Sequence, residues 1–329
     1  VPHHRPPKIV TLTPNPALDV STSVTRLQPF MKLRCAPARK DPGGGGINAA
    51  RVIHRLRGDV RAVFPAGGAA GTVLGQLVHR EGIDMLAVPV GEDTREDVTV
   101  FEEETGAQYR FVLPGPPLSS REWRALLRAF ERQCEDAAHA VISGSLAPGM
   151  PEDFHARAAA LAKAQGAKAV VDVSGPALVA ALETGLFLIK PNIEEFHELA
   201  GLAPPKAGEA DVSHLARLGR DYVSQGKTRW VALSLGSEGA LLVGKDDQDK
   251  ARALFAPPLA LDVKSVVGAG DSFVGALTLA FARGQSPEDA LRQGVAAGSA
   301  ALLSPGTGLG LATDMDRLAN EVQVTALTL

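Results

Sequence analysis

Two glycine-rich segments carry the clearest chemistry in this sequence. The first, Val267-Gly268-Ala269-Gly270-Asp271-Ser272, opens an apolar helical stretch from Phe273 to Ala282. Glycines at 268 and 270 let successive backbone N–H groups turn towards one point and form a nest for an anion, to which a helix N-terminus adds positive potential. A phosphoryl group in transfer needs its charge held in this way. Asp271 beside such a nest can take the proton of an attacking hydroxyl, although an aspartate there can equally serve as a helix cap. The second segment is Gly43-Gly44-Gly45-Gly46-Ile47-Asn48, followed by Ala50, Ile53 and Leu56 at helical spacing. Bare backbone allows close approach of a ligand, and Asn48 can bond a sugar hydroxyl. A flexible turn with a cap is the plain alternative.

Lys190-Pro191-Asn192-Ile193-Glu194-Glu195 follows the apolar run Leu186 to Ile189. Asn192 and Glu195 have the spacing of a capping box. The same two oxygen-bearing side chains can hold the waters of a Mg²⁺ that bridges nucleotide phosphates, and spacing does not separate the two readings. Ser234-Leu235-Gly236-Ser237-Glu238-Gly239 reads as a strand and a glycine-bounded turn, which lines a nucleotide pocket or simply closes a hairpin. A Walker A loop is excluded because Gly244-Lys245-Asp246 lacks the Ser/Thr and the upstream glycine. The glycines at 306, 308 and 310 follow no strand, so a dinucleotide fingerprint is excluded too.

The elements that must position these groups alternate along the chain. Short apolar runs at Ile9–Leu12, Val60–Phe64, Ala140–Ile142, Ala169–Val173, Leu186–Ile189 and Trp230–Leu235 are separated by helical stretches at 47–57, 122–134, 156–165, 194–200 and 213–225. That is the pattern of a parallel sheet covered by helices. Two segments break it. Asp19 to Pro37 reads as extended and polar, and Thr94 to Leu113 alternates around a Thr105-Gly106 turn as a hairpin does. Both are expected to form a small separate sheet within one α/β unit spanning residues 8–329, after a tail at residues 1–7 expected to be disordered. Composition limits the class further. Of 329 residues, 45% are hydrophobic and 22% charged, and the formal charge is −3. This is a globular composition with no overall basic excess to hold a nucleic-acid backbone. Cys35 and Cys134 form no pair motif and are read as packing residues in a reducing cytosol. The scattered histidines have no metal-ligand spacing, and no apolar run approaches a membrane span. A soluble cytoplasmic protein is expected, with neither nucleic-acid nor membrane partners.

In this order the motifs resemble the phosphofructokinase B family of ribokinase-like sugar kinases, from about Ile9 to Gly310. The resemblance rests on Thr13-Pro14-Asn15-Pro16-Ala17-Leu18-Asp19, the GGGGIN run, Phe64-Pro65-Ala66-Gly67-Gly68, Ser143-Gly144-Ser145-Leu146, Lys190-Pro191-Asn192 and Gly268-Ala269-Gly270-Asp271-Ser272. It implies a three-layer α/β/α sandwich with a mainly parallel central sheet and a small β-sheet lid. It also implies ATP-dependent phosphorylation of a sugar hydroxyl, with Asp271 as base and the amides of Gly268, Ala269 and Gly270 as anion hole. Within the family, GGGGIN, Lys32-Leu33-Arg34-Cys35 and Gln108-Tyr109-Arg110-Phe111-Val112 resemble the minor bacterial 6-phosphofructokinases. The 1-phosphofructokinases usually carry AGKGIN at the first position, and tagatose-6-phosphate kinases are close neighbours.

By that resemblance Asp19, Gly44, Gly45 and Asn48 bind sugar hydroxyls of fructose 6-phosphate, whose C1 hydroxyl is the acceptor. Lys32, Arg34, Arg95, Arg110 and Ser145 become candidates for its 6-phosphate, where charge-assisted donors suit a dianion. Lys190, Asn192, Ser234, Gly236 and Gly239 are expected on the ATP side, with Mg²⁺ held through water by Asn192 and Glu195. The chain departs from the pattern at Gly306-Thr307-Gly308, where relatives read GTR, and at Glu194, where the minor 6-phosphofructokinases have Lys. The first departure bears on a monovalent-cation site near Ser265 and Val267, so K⁺ dependence is left open. The exposed edges of the hairpin point to a homodimer through the lid strands. A non-catalytic sugar-phosphate or nucleotide sensor on the same fold is the rival of a different class.

Overall fold

The computed structural model describes residues 6–203, 208, 210–304 and 306–328; most of the expected tail at 1–7 lies outside them. The chain opens with β1 (Lys8–Leu12), β2 (Ala17–Val24), β3 (Arg39–Gly43), α1 (Gly45–Arg55), β4 (Asp59–Ala66), α2 (Gly68–Arg80) and β5 (Asp84–Pro89). It continues through β6 (Arg95–Glu102), β7 (Gln108–Phe111), α3 (Ser120–Cys134), β8 (Ala137–Ser143), α4 (Phe154–Ala164), β9 (Lys168–Asp172), α5 (Gly175–Leu182) and β10 (Leu186–Ile189). The last part holds α6 (Ile193–Leu199), α7 (Val212–Ser224), β11 (Thr228–Ser234), β12 (Ala240–Lys245), β13 (Ala251–Ala256), α8 (Ala269–Ala282), α9 (Pro287–Leu302), α10 (Ala312–Ala319) and β14 (Thr325–Ala326).

Ten strands form the main sheet in the order β14-β13-β12-β11-β10-β9-β8-β1-β4-β5. From β11 to β5 every pairing is parallel, while β12, β13 and β14 add antiparallel pairs at one edge. The parallel strands read as unbroken apolar runs because helices cover both faces. Ile9, Val141, Val170 and Leu188 pack towards α1, α8, α9 and α10, whereas Val10, Leu12, Ile142, Val171 and Ile189 pack towards α3 to α7. Each fully buried Leu or Ile contributes about 1.5–3 kcal/mol, and this double core holds the strand ends in fixed register. Sequence order reverses between β8 and β1, so the crevice at the carboxyl ends of these strands is where an open α/β sheet takes its ligand.

The second sheet has the order β3-β2-β6-β7, with β2 and β6 parallel and the other pairs antiparallel. The turn between β6 and β7 holds Gly106 at φ 72°. Cross-strand register places Asp19, Asp41, Asp97, Thr99 and Arg110 on one face, and Leu18, Val98, Val100, Tyr109 and Phe111 on the other. Two expectations need correction. Extended structure beyond Asp19 runs only to Val24, and the chain is irregular until β3 because Pro29 and Pro37 interrupt any ladder there. Cys134 is buried as expected, but Cys35 lies exposed on that irregular segment and packs no core.

Candidate active site

Asp271 occupies the first turn of α8, whose N-cap, Gly268, has φ 78° and offers no side chain to the helix. That left-handed conformation is cheap only for glycine, and the helix start is left with its backbone donors uncapped by any side chain. The Asp271 side chain is half-buried where β1, β8, β9 and β10 end. Asn48, in α1, donates from Nδ2 to Asp271 Oδ2 at 2.9 Å. Gly45 lies so close that a Cβ there would stand 2.1 Å from Ser143 Oγ and 3.2 Å from Asp271 Oδ1. The two glycine-rich segments, more than two hundred positions apart, therefore meet over one carboxylate.

Strand ends supply the remaining charges. Asp172 terminates β9 and accepts from Ser143 Oγ at 3.3 Å, while Lys190, just after β10, pairs with Asp172 at 3.1 Å. Lys190 Nζ also reaches Gly270, where a Cβ would lie 3.2 Å away. Burial opposes the Lys190 charge, yet Asp172, Glu195 and Asp271 together hold its pKa above the ordinary lysine value. Burial raises the pKa of Asp271, and Asp172 raises it further, against the Asn48 amide, Lys190 and Arg110. A carboxylate whose pKa is raised by desolvation and by a neighbouring acid suits a general base near neutral pH.

On the lid sheet, Asp19 accepts from Thr307 Oγ1 at 3.0 Å, and burial pushes its pKa up to about 6. Arg110, exposed on the same lid face as Asp19, lowers the pKa of both Asp19 and Asp271 through its charge. Arg95 bonds the carbonyls of Leu113 (2.6 Å) and Asn15 (3.2 Å), a commitment to the lid itself. Its Nε is buried without a partner among the described residues. Ser145 is exposed and accepts from Asn15 Nδ2 at 3.4 Å. Lys32 and Arg34 stand exposed on the irregular segment before β3, outside the bonded group around Asp271.

Asn192 and Glu195 form a full capping box at the start of α6, each side chain accepting the other's backbone N–H at 2.8 Å. The capping reading is therefore realised, and it leaves Glu195 Oε1 without a hydrogen bond among the described residues. Ser234 sits beside Asn192 through an isolated parallel bridge, and Gly236 to Gly239 close the β11–β12 hairpin as a short 3₁₀ turn. Sequence reasoning missed Asp172, Arg51 and the lid-side role of Thr307. Asp172 was findable, as the acid at the carboxyl end of a predicted apolar strand. Arg51 looks like any surface charge on a helix, and only the fold buries it, to 1% exposure. The 306–310 loop, which lacks the expected arginine at 308, is instead bonded from α1. Arg51 donates to Thr307 O, and Arg55 donates to Gly308 O and Gly310 O.

Known proteins resemble this chain along most of its length. A family model described as pfkB family carbohydrate kinase matches residues 18–314. The chain is 40% identical to ATP-dependent 6-phosphofructokinase isozyme 2 of Mycobacterium tuberculosis, over 94% of this chain and 88% of that one. It is 42% identical to the isozyme 2 of Escherichia coli, over 92% and 94%. It is 31% identical to 1-phosphofructokinase of Bacillus subtilis, over 97% and 100%. Crystal structures of phosphofructokinase-2 from Escherichia coli superpose across 96% of this chain and 99% of theirs. Its potassium complex does so with a TM-score of 0.87 at 39% identity. Its fructose-6-phosphate complex gives 0.85 at 38%, and its tetrameric inhibited form 0.85 at 39%.

Proposed function

We propose that this chain, which belongs to the pfkB family of carbohydrate kinases, is an ATP-dependent 6-phosphofructokinase. It transfers the γ-phosphoryl group of ATP to the C1 hydroxyl of fructose 6-phosphate, giving fructose 1,6-bisphosphate and ADP. One observation carries this reading: the half-buried Asp271 carboxylate lies at the glycine-opened start of α8, beside Gly45 and Ser143 and at the strand ends.

Asp271 accepts the proton of the attacking hydroxyl, and the amides from Gly268 to Asp271 hold the charge of the group in flight. Asp19, Gly44, Gly45 and Asn48 hold the sugar hydroxyls. Arg110, on the lid face that bears Asp19, binds the 6-phosphate, with Lys32, Arg34, Arg95 and Ser145 as the surrounding donors. The lid's polar face, bearing Asp19, Asp97 and Arg110, covers the sugar and keeps water from the transferring group. Its opposite face exposes Tyr109 and Phe111, which fits pairing with a second copy through the lid strands.

On the nucleotide side, Lys190, Asn192, Ser234, Gly236 and Gly239 face the phosphates and base. Mg²⁺ fits Glu195 Oε1 and the Asn192 amide only through water. Among the described residues no three acidic, histidine or cysteine side chains cluster to hold a metal directly. A hydrated Mg²⁺ that takes phosphate oxygens as ligands suits that sparse donor set and supplies charge neutralisation when bound. K⁺ is a weaker fit, because the carbonyls of Gly308 and Gly310 already carry the Arg55 guanidinium. No helix among the described residues is long and apolar enough to cross a membrane, in keeping with work in the cytoplasm.

The higher identity to the 6-phosphofructokinases and the GGGG run favour fructose 6-phosphate over fructose 1-phosphate. An ADP-release assay across fructose 6-phosphate, tagatose 6-phosphate, fructose 1-phosphate and free sugars tests this. Fructose 6-phosphate should give the largest kcat/KM. Preference for fructose 1-phosphate would refute the assignment, and binding without ADP release would favour a sensor.

A further inference from the structure

Arg51 is almost wholly buried in α1, and a buried guanidinium is tolerated only where its donors are met. Its Nε donates to Glu81 at 2.9 Å and its Nη2 pairs with the same carboxylate at 2.7 Å. Its Nη1 fans across Pro42 O (3.1 Å), Asn48 Oδ1 (3.2 Å) and Thr307 O (3.1 Å). One guanidinium thereby joins lid strand β3, the glycine-headed helix α1 and the loop whose Thr307 hydroxyl bonds Asp19. Glu81 is held below the usual carboxylate range: burial opposes its charge, but Arg51 and Arg55 outweigh that.

We propose that Arg51 is a positioning residue for phosphoryl transfer: it fixes the Asn48 amide so that Asp271 keeps one carboxylate oxygen bonded and the other free for the substrate proton. The chemistry of the donors dictates the orientation. Arginine has no acceptor, so it bonds only the oxygen of an amide. With Oδ1 claimed by Arg51, Nδ2 of Asn48 must point the other way, and it donates to Asp271 Oδ2 at 2.9 Å. Oδ1 of Asp271 then lies on the side of Gly45, where Ser143 Oγ takes the room a Cβ would fill, and it carries no hydrogen bond among the described residues. Without Arg51 the amide can rotate and set its own oxygen against the carboxylate.

This rests on Asp271 being the base. The groups acting on Asp271 come from several elements: Asp172 at the end of β9, Lys190 after β10, Arg110 on β7 and the Asn48 amide on α1. Of these, the amide bond favours the ionised carboxylate, so its loss moves the acid limb of the kcat profile to higher pH.

The test is the pH dependence of kcat with fructose 6-phosphate for the full chain and for substitutions at Arg51, Asn48 and Asp271. Arg51→Lys keeps the charge opposite Glu81 but cannot fork to Asn48, Pro42 and Thr307 together. It should lower kcat about tenfold to a hundredfold and raise the acid limb by about one pH unit, with the KM for ATP unchanged. In an Asn48→Ala background the same change should add no further shift, because the two residues act through one bond. Asn48→Ala leaves Arg51 its bonds to Glu81, Pro42 and Thr307, and by removing the amide from Asp271 it should raise the limb as well. An unmoved acid limb in Arg51→Lys, or a shift that persists without Asn48, would assign Arg51 to bracing alone. If Arg51→Lys does not fold, an unmoved limb in Asn48→Ala overturns the proposal. Asp271→Asn separates the two claims: if it stays active the base assignment fails, whereas an inactive Asp271→Asn with an unmoved Arg51→Lys limb defeats only the Arg51 proposal.

Discussion

Helices α6 and α8 both begin at the carboxyl edge of the main sheet, yet they treat their first-turn N–H groups in opposite ways. At α6 the Asn192 and Glu195 side chains take up two backbone donors within the chain itself. At α8 the residue in the capping position is Gly268, at φ 78°, with no side-chain acceptor to offer. A helix start that satisfies its own donors is a structural joint with side-chain oxygens left over. One headed by glycine keeps its positive end for an anion. On the proposed function, the difference separates the helix start that holds the transferring group from the one that orients the nucleotide.

The largest effect should come from Asp271→Asn, which keeps the volume and the α8 start but removes the proton acceptor. Turnover should fall about a hundredfold to ten-thousandfold with the circular dichroism spectrum unchanged. Gly268→Ala comes next, because a Cβ there meets Leu309 Cδ2 at 2.3 Å and the backbone is left-handed. It should cost about 1–3 kcal/mol in denaturant unfolding and displace the nest enough to cut kcat about a hundredfold. At α6 the expected losses are smaller and of another kind. Asn192→Ala should lose about 1 kcal/mol of stability as a missing cap. Glu195→Gln should raise the KM for the magnesium–nucleotide complex about tenfold while leaving the KM for sugar phosphate alone. Were Glu195→Gln to alter stability only, α6 would be a joint and nothing more.

The smallest effect concerns Asp19, whose carboxyl is raised to about 6, chiefly by burial. The folded state binds this proton more tightly than the unfolded chain. The stability it contributes is therefore full below about pH 4 and is lost as the pH rises through 6. Asp19→Asn should melt a few degrees above the parent at pH 8, with the gap closing towards pH 4. In the parent, the KM for the sugar should rise as the pH falls below 6, since the protonated acid is a poorer acceptor of sugar hydroxyls.

Much of the frame was legible because it depends on local pattern. Leu186 to Ile189 is apolar on both faces and reads as a central strand, and Thr105-Gly106 marks its hairpin without help from the fold. The GGGGIN and GAGD segments announce bare backbone by composition alone. Asp172, Arg51 and Thr307 were harder, because each takes its meaning from elements far away in sequence. Arg51 bonds Thr307 across 256 positions, and nothing in its own helix foretells its burial. The capping box and the metal-side reading of Asn192 and Glu195 share one spacing, so only bonded geometry shows the cap to be made. Cys35 failed as a packing residue because the segment around it forms no strand to carry it inward.

The most direct measurement is ³¹P NMR of the enzyme with ATP and fructose 6-phosphate. ADP should appear in step with a new phosphate monoester at C1, the 6-phosphate signal being retained, and Asp271→Asn should leave both reactants unchanged. ADP accompanied by inorganic phosphate without a bisphosphate, or a bisphosphate formed at the parent rate by Asp271→Asn, would contradict transfer to the C1 hydroxyl through this carboxylate.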